Sequence, residues 1–284
     1  MKQHQPEPSS PAGRGATALI TGASSGIGAV FADRLAARGY RPTLVARRRE
    51  RMLALADDLR RRHGVAAEVL VADLADPLEV EQVARWVEAD ESIELLVNNA
   101  GFGSASAFAR GDLEQLDMIA VHVVASVRLS RAALIHMLAR GHGAIVNVAS
   151  IAAFLPAAGN VTYTASKAFL KVFSECLAAE VAGTGVRVQA LCPGFTYTEF
   201  YEPGAFVPYD PGAVPAPFWM PAERVVDASL RALDRDQVVC IPGALNRAAV
   251  ALLGSRAGAP LRRAVIARLR RASAKPRRRG RAVV

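Results

Sequence analysis

Short apolar runs alternate along the chain with longer stretches in which apolar positions recur every three or four residues. The runs are typical of strands buried on both faces, whereas the recurring positions are typical of amphipathic helices. The predicted strands cover 16–20, 43–46, 68–72, 94–97, 144–150, 186–192 and 237–241. Because strands and helices alternate, we predict an α/β fold with one doubly wound parallel sheet of about seven strands and helices on both faces.

The helices predicted between these strands connect one parallel strand to the next. They cover a stretch ending near Gly39, residues 77–86, 112–140 and 160–182, and a segment starting at Pro221. Residues 196–220 are rich in proline and aromatic side chains, which predicts an irregular segment.

Charge is distributed unevenly along the chain. The formal net charge is +9. Twelve of the 35 lysines and arginines, and none of the acidic residues, lie from Arg247 onward. We therefore divide the chain into a polar lead-in at 1–15 that is expected to be disordered, a single domain at 16–245 and a basic tail at 246–284.

The tail carries Leu261, Val265 and Leu269 at four-residue spacing among arginines. This spacing predicts a basic amphipathic helix, although Arg268 interrupts its apolar side. A solvated tail is the favoured interpretation. Peripheral contact with an anionic membrane surface is the alternative, and nucleic acid is the less favoured anionic partner.

Cysteine usage and the amino-terminal sequence bear on the cellular compartment. Cys176, Cys192 and Cys240 match neither a disulfide framework nor a metal site, so a reducing environment is expected and no metal is predicted. Residues 1–15 contain no apolar signal core, and no uncharged run approaches the ~20 residues of a membrane span. We therefore expect a soluble protein of the cytoplasm.

A glycine-rich turn, Thr21-Gly22-Ala-Ser-Ser-Gly26-Ile-Gly28, joins the first predicted strand to a helix. A strand, a glycine turn and a helix in this order indicate dinucleotide binding and a Rossmann-like sheet. Gly22 would permit the tight turn, and Gly26 and Gly28 would let backbone N–H groups approach a pyrophosphate. The spacing differs from the commoner G-x-G-x-x-G, and a purely structural turn is the alternative.

The second predicted strand runs into Arg47-Arg48-Arg49, where NAD-binding folds place a carboxylate for the ribose 2′-hydroxyl. An arginine here suits a 2′-phosphate. Arg47 and Arg48 therefore favour NADP(H) as the cofactor, with NAD(H) as the alternative. A solvated basic start of a helix would also account for these residues.

Tyr163 and Lys167 are four residues apart on a predicted helix and therefore lie on one face, a turn apart. A phenol titrates near pH ~10, and a nearby ammonium group would lower the pKa of Tyr163 and make it a general acid/base. Ser150 closes a predicted strand, so its hydroxyl would lie at the carboxyl end, where open α/β sheets bind ligands. A chance pair on a solvated helix is the alternative.

Together these motifs resemble those of the short-chain dehydrogenase/reductase family over roughly 16–245, with further matches at Asp73-Leu74, Asn98-Asn99-Ala100-Gly101 and Pro193-Gly194-x-x-x-Thr198. The resemblance implies catalysis by Ser150, Tyr163 and Lys167. It implies cofactor contacts from Gly22, Ser24, Ser25, Gly26, Ile27, Gly28, Arg47, Arg48, Asp73, Leu74, Asn99, Ala100, Gly101, Tyr163, Lys167, Pro193, Gly194, Thr196 and Thr198.

One position departs from the family. Its fourth catalytic residue, an asparagine that helps to hold a relay water, is replaced by His122, and no asparagine lies between Asn99 and Asn147. We expect a neutral imidazole beside Lys167 that relays a proton by accepting at one nitrogen and donating at the other. A histidine packed in the helix without a proton role is the alternative.

The resemblance also implies the reaction, which is hydride transfer between a nicotinamide and a carbonyl or carbinol carbon. Tyr163 would move the hydroxyl proton, Lys167 would bind the nicotinamide ribose and lower the pKa of Tyr163, and Ser150 would hydrogen-bond the substrate oxygen. Family members commonly pair through the helices at 112–140 and 160–182, so a homodimer or homotetramer is expected.

The region of the substrate lid is apolar and aromatic, which favours an apolar ketone or secondary alcohol as the substrate. Its aromatic residues are Phe195, Tyr197, Phe200, Tyr201, Phe206, Tyr209, Phe218 and Trp219. Aromatic side chains that only pack the segment on the domain are the alternative. For the whole protein, the alternatives to an enzyme are a non-catalytic NADP-binding regulator and an adaptor that docks to surfaces through its tail.

Overall fold

Seven parallel strands form one sheet in the computed structural model, which describes residues 15–103, 108–110, 114–156, 158–201, 212 and 214–273. The strands are β1 Thr17–Thr21, β2 Arg41–Ala46, β3 Glu68–Val71, β4 Ile93–Asn98, β5 Gly143–Val148, β6 Val186–Leu191 and, last in the chain, β9 Val239–Cys240. Their order is β3-β2-β1-β4-β5-β6-β9. The order reverses between β1 and β4, which confirms the predicted Rossmann-like, doubly wound sheet.

Two further short strands, β7 Phe195–Tyr197 and β8 Trp219–Pro221, pair in parallel with each other. They lie at the two ends of the segment predicted to be irregular. Residues 202–211 and 213 of this segment, including Phe206 and Tyr209, lie outside the described residues, as does the side chain of Tyr201.

The helices are α1 Gly26–Ala37, α2 Arg49–His63, α3 Pro77–Ala89, α4 Glu114–Ile119, α5 Ser126–Arg140, α6 Val161–Glu180, α7 Ala222–Leu233, α8 Ala244–Gly254 and α9 Ala259–Ser273. Helix α2 was not predicted. It buries only a narrow stripe, Met52, Ala56 and Leu59, and its arginines mask that periodicity in the sequence.

Helices cover both faces of the sheet with separate hydrophobic layers. Phe31 of α1, Leu59 of α2 and Leu230 of α7 pack in one layer. Side chains of α3, α5 and α6 pack in the other, among them Val87, Leu129 and Leu177. On β1, Ile20 belongs to the first layer and Leu19 to the second, because neighbouring strand residues point to opposite faces.

A π-helical segment, Ala120–Ala125, joins α4 to α5, so that Glu114–Arg140 forms one helix. By length and composition this helix could cross a membrane, but half of its most apolar stretch is buried inside the protein. Met118 and Leu129 are fully buried. This degree of burial is typical of a core helix. His122 is buried and belongs to the π-helical segment.

Helix α8 crosses the boundary predicted at 245/246. Asn246 and Val250 of α8 are buried, and a Cβ atom added to Gly194 would lie 2.5 Å from the Asn246 amide. Buried side chains therefore continue past the predicted boundary into α8. The tail does form a helix, α9, in which Leu261 and Val265 are exposed, whereas the side chain of Leu269 lies outside the described residues.

Candidate active site

The glycine turn lies at the carboxyl end of β1, beside the end of β4. Gly22 has φ +65°, and a Cβ atom there would lie 2.8 Å from the Ala100 Cα, so the turn requires glycine for both its conformation and its packing. The Thr21 hydroxyl accepts hydrogen bonds from the backbone N–H groups of Asn99 and Ala100, each at 2.9 Å. These contacts hold the two strand ends together.

The start of α1 has the features of an anion site. Gly26, with φ +55°, leads into the helix, and the Ser25 side chain makes no capping hydrogen bond to any described residue. The backbone N–H groups of the first turn are therefore available to a pyrophosphate, which fits the dinucleotide predicted here. Ile27 packs against the core and holds the helix on the sheet.

Arg48 reaches the glycine turn from the end of β2. Its Nε and Nη2 atoms donate to Ser24 Oγ at 3.0 and 2.9 Å, and Nη2 also donates to Ser25 Oγ at 2.6 Å. Arg47 instead pairs with Asp73 at 3.5 Å, and its side chain is 73% exposed. Of the two predicted phosphate ligands, the structure thus brings Arg48 to the turn and Arg47 to Asp73, another predicted cofactor contact.

The strand ends next to the turn are held by buried amides. Asn98 Nδ2 donates to Asn147 Oδ1 at 2.8 Å, and Asn147 Nδ2 donates to Ser174 Oγ at 2.9 Å. These bonds link β4, β5 and α6. Asn99 Nδ2 donates to the carbonyl oxygens of Thr21 and Gly22, and Leu74 is buried at the end of β3. The amides thereby fix the backbone on which the predicted cofactor contacts lie.

Ser150, Tyr163 and Lys167 come together beyond the carboxyl end of β5. Ser150 hydrogen-bonds the Tyr163 phenol, and its hydroxyl accepts from the Ala152 N–H at 3.1 Å. Lys167 Nζ donates to the Val148 carbonyl at 2.8 Å and lies 5.8 Å from the centroid of the Tyr163 ring. The helix of Tyr163 and Lys167 thus faces the strand end that carries Ser150, as predicted from their spacing.

Burial has the largest effect on the pKa values of Tyr163 and Lys167. It raises the pKa of Tyr163 above its ordinary value, and the hydrogen bond from Ser150 offsets only part of this effect. Burial also lowers the pKa of Lys167 to about 7. The upward shift of the Tyr163 pKa is opposite in direction to the lowering predicted from Lys167, because burial is its largest cause and penalises the ionised phenol.

Both ring nitrogens of His122 are engaged. Nε2 accepts from the Phe102 N–H at 3.1 Å. Nδ1 lies 2.8 Å from Ser166 Oγ, and this hydroxyl donates its proton to the Tyr163 carbonyl at 2.9 Å. The imidazole is therefore neutral with its proton on Nδ1. Burial, and next the charge of Lys167, hold the pKa of His122 well below its usual range.

These contacts bear directly on the predicted relay. A relay through His122 requires a ring nitrogen that exchanges protons, but one nitrogen is bonded to a backbone amide and the other to Ser166. The alternative interpretation, a packed histidine without a proton role, therefore agrees better with the structure. His122 links the loop after β4 to α6, and we propose that it positions this loop.

The residues after β6 lie over the glycine turn. The Ile151 N–H donates to the Pro193 carbonyl at 2.9 Å, next to Ser150. A Cβ atom on Gly26 would lie 3.1 Å from Thr198 Cγ2, so Thr198 covers the start of α1. Thr196 is buried, with its hydroxyl bonded to the Gly194 carbonyl. This segment thereby encloses the predicted cofactor site from the side of β6.

The aromatic residues of the lid region divide into two groups. The Trp219 ring lies 5.4 Å from Phe195 and 5.0 Å from Tyr197, centroid to centroid, so these side chains pack on one another. Phe200 instead lies 6.1 Å from the Tyr163 ring. Packing thus accounts for the first group, whereas Phe200 places an apolar surface beside the predicted catalytic phenol.

Sequence reasoning missed several residues of the site. Arg51 and Glu199 form an ion pair close to Arg48, and Phe102 and Ser166 hold His122. An acid directly after the motif ending in Thr198 was a visible signal for Glu199, whereas no local pattern marks the other three. Within the described residues, no group of three or more His, Cys, Asp or Glu side chains could hold a metal ion.

Comparison with known proteins adds independent findings. The sequence profile of the short chain dehydrogenase family matches residues 16–204. The chain is 34% identical over 193 residues to the very-long-chain 3-oxoacyl-CoA reductase of Anas platyrhynchos, a match that covers 66% of this chain and 62% of that protein. The chain therefore spans less than two thirds of the length of that reductase.

Two solved structures are similar over nearly the whole chain. The short-chain dehydrogenase from Sphingobium yanoikuyae in complex with NADPH is 36% identical with a TM-score of 0.76, covering 92% of this chain and 99% of that one. The bulky-bulky ketone specific alcohol dehydrogenase from Comamonas testosteroni is 33% identical with a TM-score of 0.72, covering 93% and 99%. With the fold, the motifs in order and the profile match, the chain belongs to the short-chain dehydrogenase/reductase family of oxidoreductases.

Proposed function

We propose that this protein is an NADP(H)-dependent oxidoreductase that interconverts a bulky apolar ketone and its secondary alcohol. The observation that carries the proposal is the convergence of Ser150, Tyr163 and Lys167 beyond β5, with the Phe200 ring beside the Tyr163 phenol. This arrangement pairs a proton donor with a hydrogen-bond donor and an apolar surface, which suits a carbonyl attached to hydrophobic groups.

The preference for NADP(H) rests on Arg48. Its guanidinium lies against Ser24 and Ser25 at the glycine turn, where a 2′-phosphate would gain charge-assisted hydrogen bonds. Arg51 adds a second cation one turn further along α2. NADPH bound to the similar Sphingobium yanoikuyae dehydrogenase supports the same choice.

The bound nicotinamide supplies or accepts the hydride, and the side chains of this chain move and hold the proton. In reduction, Tyr163 gives its phenolic proton to the substrate oxygen, and Ser150 hydrogen-bonds that oxygen as charge develops on it. Lys167 would hold the nicotinamide ribose. Because burial raises the pKa of Tyr163, the phenol is protonated and ready to donate at neutral pH.

The substrate class follows from the lid region together with the relatives. Phe200 faces Tyr163, and the similar Comamonas testosteroni enzyme is specific for bulky-bulky ketones. The similar reductase of Anas platyrhynchos acts on a 3-oxoacyl-CoA, also a ketone with a long apolar group. We therefore expect ketones flanked by two large apolar groups to be better substrates than acetone-sized ketones.

Assembly and location are part of the proposal. Helices α5 and α6 expose the apolar side chains Val127, Ile135, Leu138, Phe169 and Val172. These surfaces support a homodimer or homotetramer formed through α5 and α6. The three free cysteines support action in the cytoplasm.

The test is oxidation of NADPH in the presence of aliphatic, aryl, steroid and 3-oxoacyl thioester ketones, with acetone for comparison. Tyr163→Phe should lower kcat on the best substrate by ~10²–10⁴-fold and leave NADPH binding nearly unchanged. Tyr40→Phe is the matched control, because Tyr40 lies just before β2, at the amino ends of the strands and away from Tyr163. Binding of NADPH without turnover of any ketone would favour the regulator over the enzyme.

A further inference from the structure

Glu199 forms ion pairs with the arginines of the proposed phosphate site. It follows Thr198 in the segment after β7, and its Oε2 atom lies 2.8 Å from Arg48 Nη1. Its Oε1 atom lies 2.5 Å from Arg51 Nη1. A single carboxylate thus bridges two guanidinium groups from a part of the chain 151 residues away from Arg48.

The donors of Arg48 are almost fully used in this arrangement. Nε and Nη2 donate to Ser24 and Ser25, and Nη1 donates to Glu199. The hydrogen bond from Arg48 keeps the pKa of Glu199 below its usual value, so the carboxylate is ionised at neutral pH. A phosphate arriving at Arg48 therefore meets a guanidinium already paired with an anion.

Charge balance makes the 2′-phosphate and the Glu199 carboxylate alternative partners of Arg48 and Arg51. Arg48 and Arg51 carry two positive charges, which match the dianion of a 2′-phosphate, whereas the carboxylate of Glu199 already neutralises one of them. A phosphate and a carboxylate bound to one guanidinium also repel each other at short range.

We infer that Glu199 competes with the 2′-phosphate of NADP(H) for Arg48 and Arg51 and so limits the preference of this enzyme for NADP(H) over NAD(H). This inference rests on the proposed cofactor. Glu199 is a specificity-determining residue that acts against phosphate: it weakens the binding of phosphorylated cofactor and leaves the binding of NADH unchanged.

The test measures binding and does not depend on turnover. Dissociation constants of NADPH, NADH, 2′,5′-ADP and 5′-AMP are determined by calorimetry for the wild type and for Glu199→Gln. We expect Glu199→Gln to bind NADPH and 2′,5′-ADP at least threefold more tightly, with NADH and 5′-AMP unchanged within twofold. The nucleotide fragments lack the nicotinamide, so they report on the phosphate site alone.

Two further proteins make the result specific. Glu50→Gln removes a carboxylate from the first turn of α2, and among the described residues Glu50 forms an ion pair only with Arg49, at 4.0 Å. It should leave all four constants unchanged. In an Arg48→Gln background, Glu199→Gln should have less than a third of its effect on the NADPH constant in the wild type, because the shared partner is gone.

The outcomes separate this inference from the proposed function. Unchanged or weaker binding of 2′,5′-ADP by Glu199→Gln overturns the inference, and weaker binding would mean that Glu199 closes over a bound phosphate. An equal gain in Glu50→Gln would show a general effect of charge and would also overturn it. A wild type that binds neither NADPH nor NADH contradicts the proposed function, and the inference fails with it.

Discussion

His122 shows how one residue can depart from its family's pattern and still suit its position. The imidazole joins the Phe102 amide to Ser166, and a Cβ atom on Gly101 would lie 2.6 Å from Nε2. Glycine at 101 is therefore required by the histidine at 122. Full burial, and next the charge of Lys167, lower the pKa of His122 and favour the neutral ring, which agrees with the proposed positioning role.

We expect His122→Leu to lower the free energy of unfolding by about 1–3 kcal/mol, because the half-buried Phe102 N–H loses its acceptor. Its kcat should fall several-fold as the loop after β4 shifts. His122→Asn keeps one donor and one acceptor and should retain most activity. Denaturant titrations and steady-state rates at pH 7.5 check both variants, with His142→Asn, an exposed position, as the control.

The pH dependence of stability tests the same assignment. The folded-state pKa of His122 is depressed, so below pH 6.5 the unfolded chain gains a proton that the folded protein does not, and stability is lost as pH falls. His122→Asn should lose less stability than the wild type between pH 7 and 5.5. Equal losses in the two proteins, or a His122→Leu variant with wild-type rates and stability, would contradict the positioning role.

Lys167 makes a second prediction at the residue scale. Burial lowers its pKa from 10.5 to about 7, so between these values the unfolded chain holds a proton that the folded protein has released. The free energy of unfolding of the wild type, relative to Lys167→Met, should therefore rise with pH, by at most about 1.4 kcal/mol per pH unit. Chemical denaturation at pH 7, 8 and 9 measures this difference. A difference that is flat or falls with pH would show that the amine stays charged.

At the scale of elements, helix α8 packs against the predicted site, although the charge distribution along the sequence assigned it to the basic tail. It buries Asn246 against Gly194, next to the residues that lead over the glycine turn. Helix α9 packs on α8, and Arg262 donates to the Leu253 carbonyl at 2.7 Å, but Leu261 and Val265 of α9 are exposed. The basic composition from Arg247 onward thus spans two helices with different roles.

Truncations should separate these two helices. Removal of 255–284 is expected to leave NADPH binding within twofold of the full chain, because within the described residues α9 packs on α8. Removal of 244–284 uncovers Gly194 and deletes the buried side chains of Asn246 and Val250, so it should lower Tm by several degrees and weaken NADPH binding. Thermal melts and cofactor titrations on both truncated proteins decide the matter. Equal behaviour of the two would place α8 outside the domain.

At the scale of the whole molecule, the strand order places the proposed cofactor and catalytic residues at the carboxyl ends of the strands. The reversal between β1 and β4 opens a crevice at the carboxyl ends of the strands, where the glycine turn, Ser150 and Gly101 meet. The opposite ends of the same strands carry none of these groups. The proposed catalytic and cofactor residues are thus concentrated at this crevice. The outer surfaces of α5 and α6 remain available for the proposed assembly.

Self-association is the prediction that belongs to this scale. The exposed apolar residues of α5 and α6 should join copies of the chain, so sedimentation velocity is expected to show a dimer or tetramer. Phe169→Glu places a charge on the α6 surface and should shift the protein toward the monomer. Leu252→Glu, which changes a similarly exposed residue on α8, should not. A monomeric wild type, or equal effects of both variants, would contradict pairing through these helices.

Local patterns in the sequence determined the elements of the sheet and much of the site. Apolar runs identified seven strands to within a few residues, and the glycine turn and the Tyr163–Lys167 spacing could be placed because each lies within one element or one connection. Periodicity reports burial of a single helix or strand, so it works where one face is clearly apolar. It failed for α2, whose buried stripe is narrow.

The tertiary structure alone decided which residues meet. Arg47 and Arg48 are adjacent and chemically identical, yet one pairs with Asp73 and the other with the glycine turn and Glu199. His122 is neutral because it is buried. Both of its ring nitrogens are hydrogen-bonded because Phe102 and Ser166 approach it from different parts of the chain. Such contacts depend on distances between segments far apart in the chain, which no local pattern records. The sequence therefore specified the chemistry present at the strand ends, and the packing of the elements decided how each group is paired and protonated.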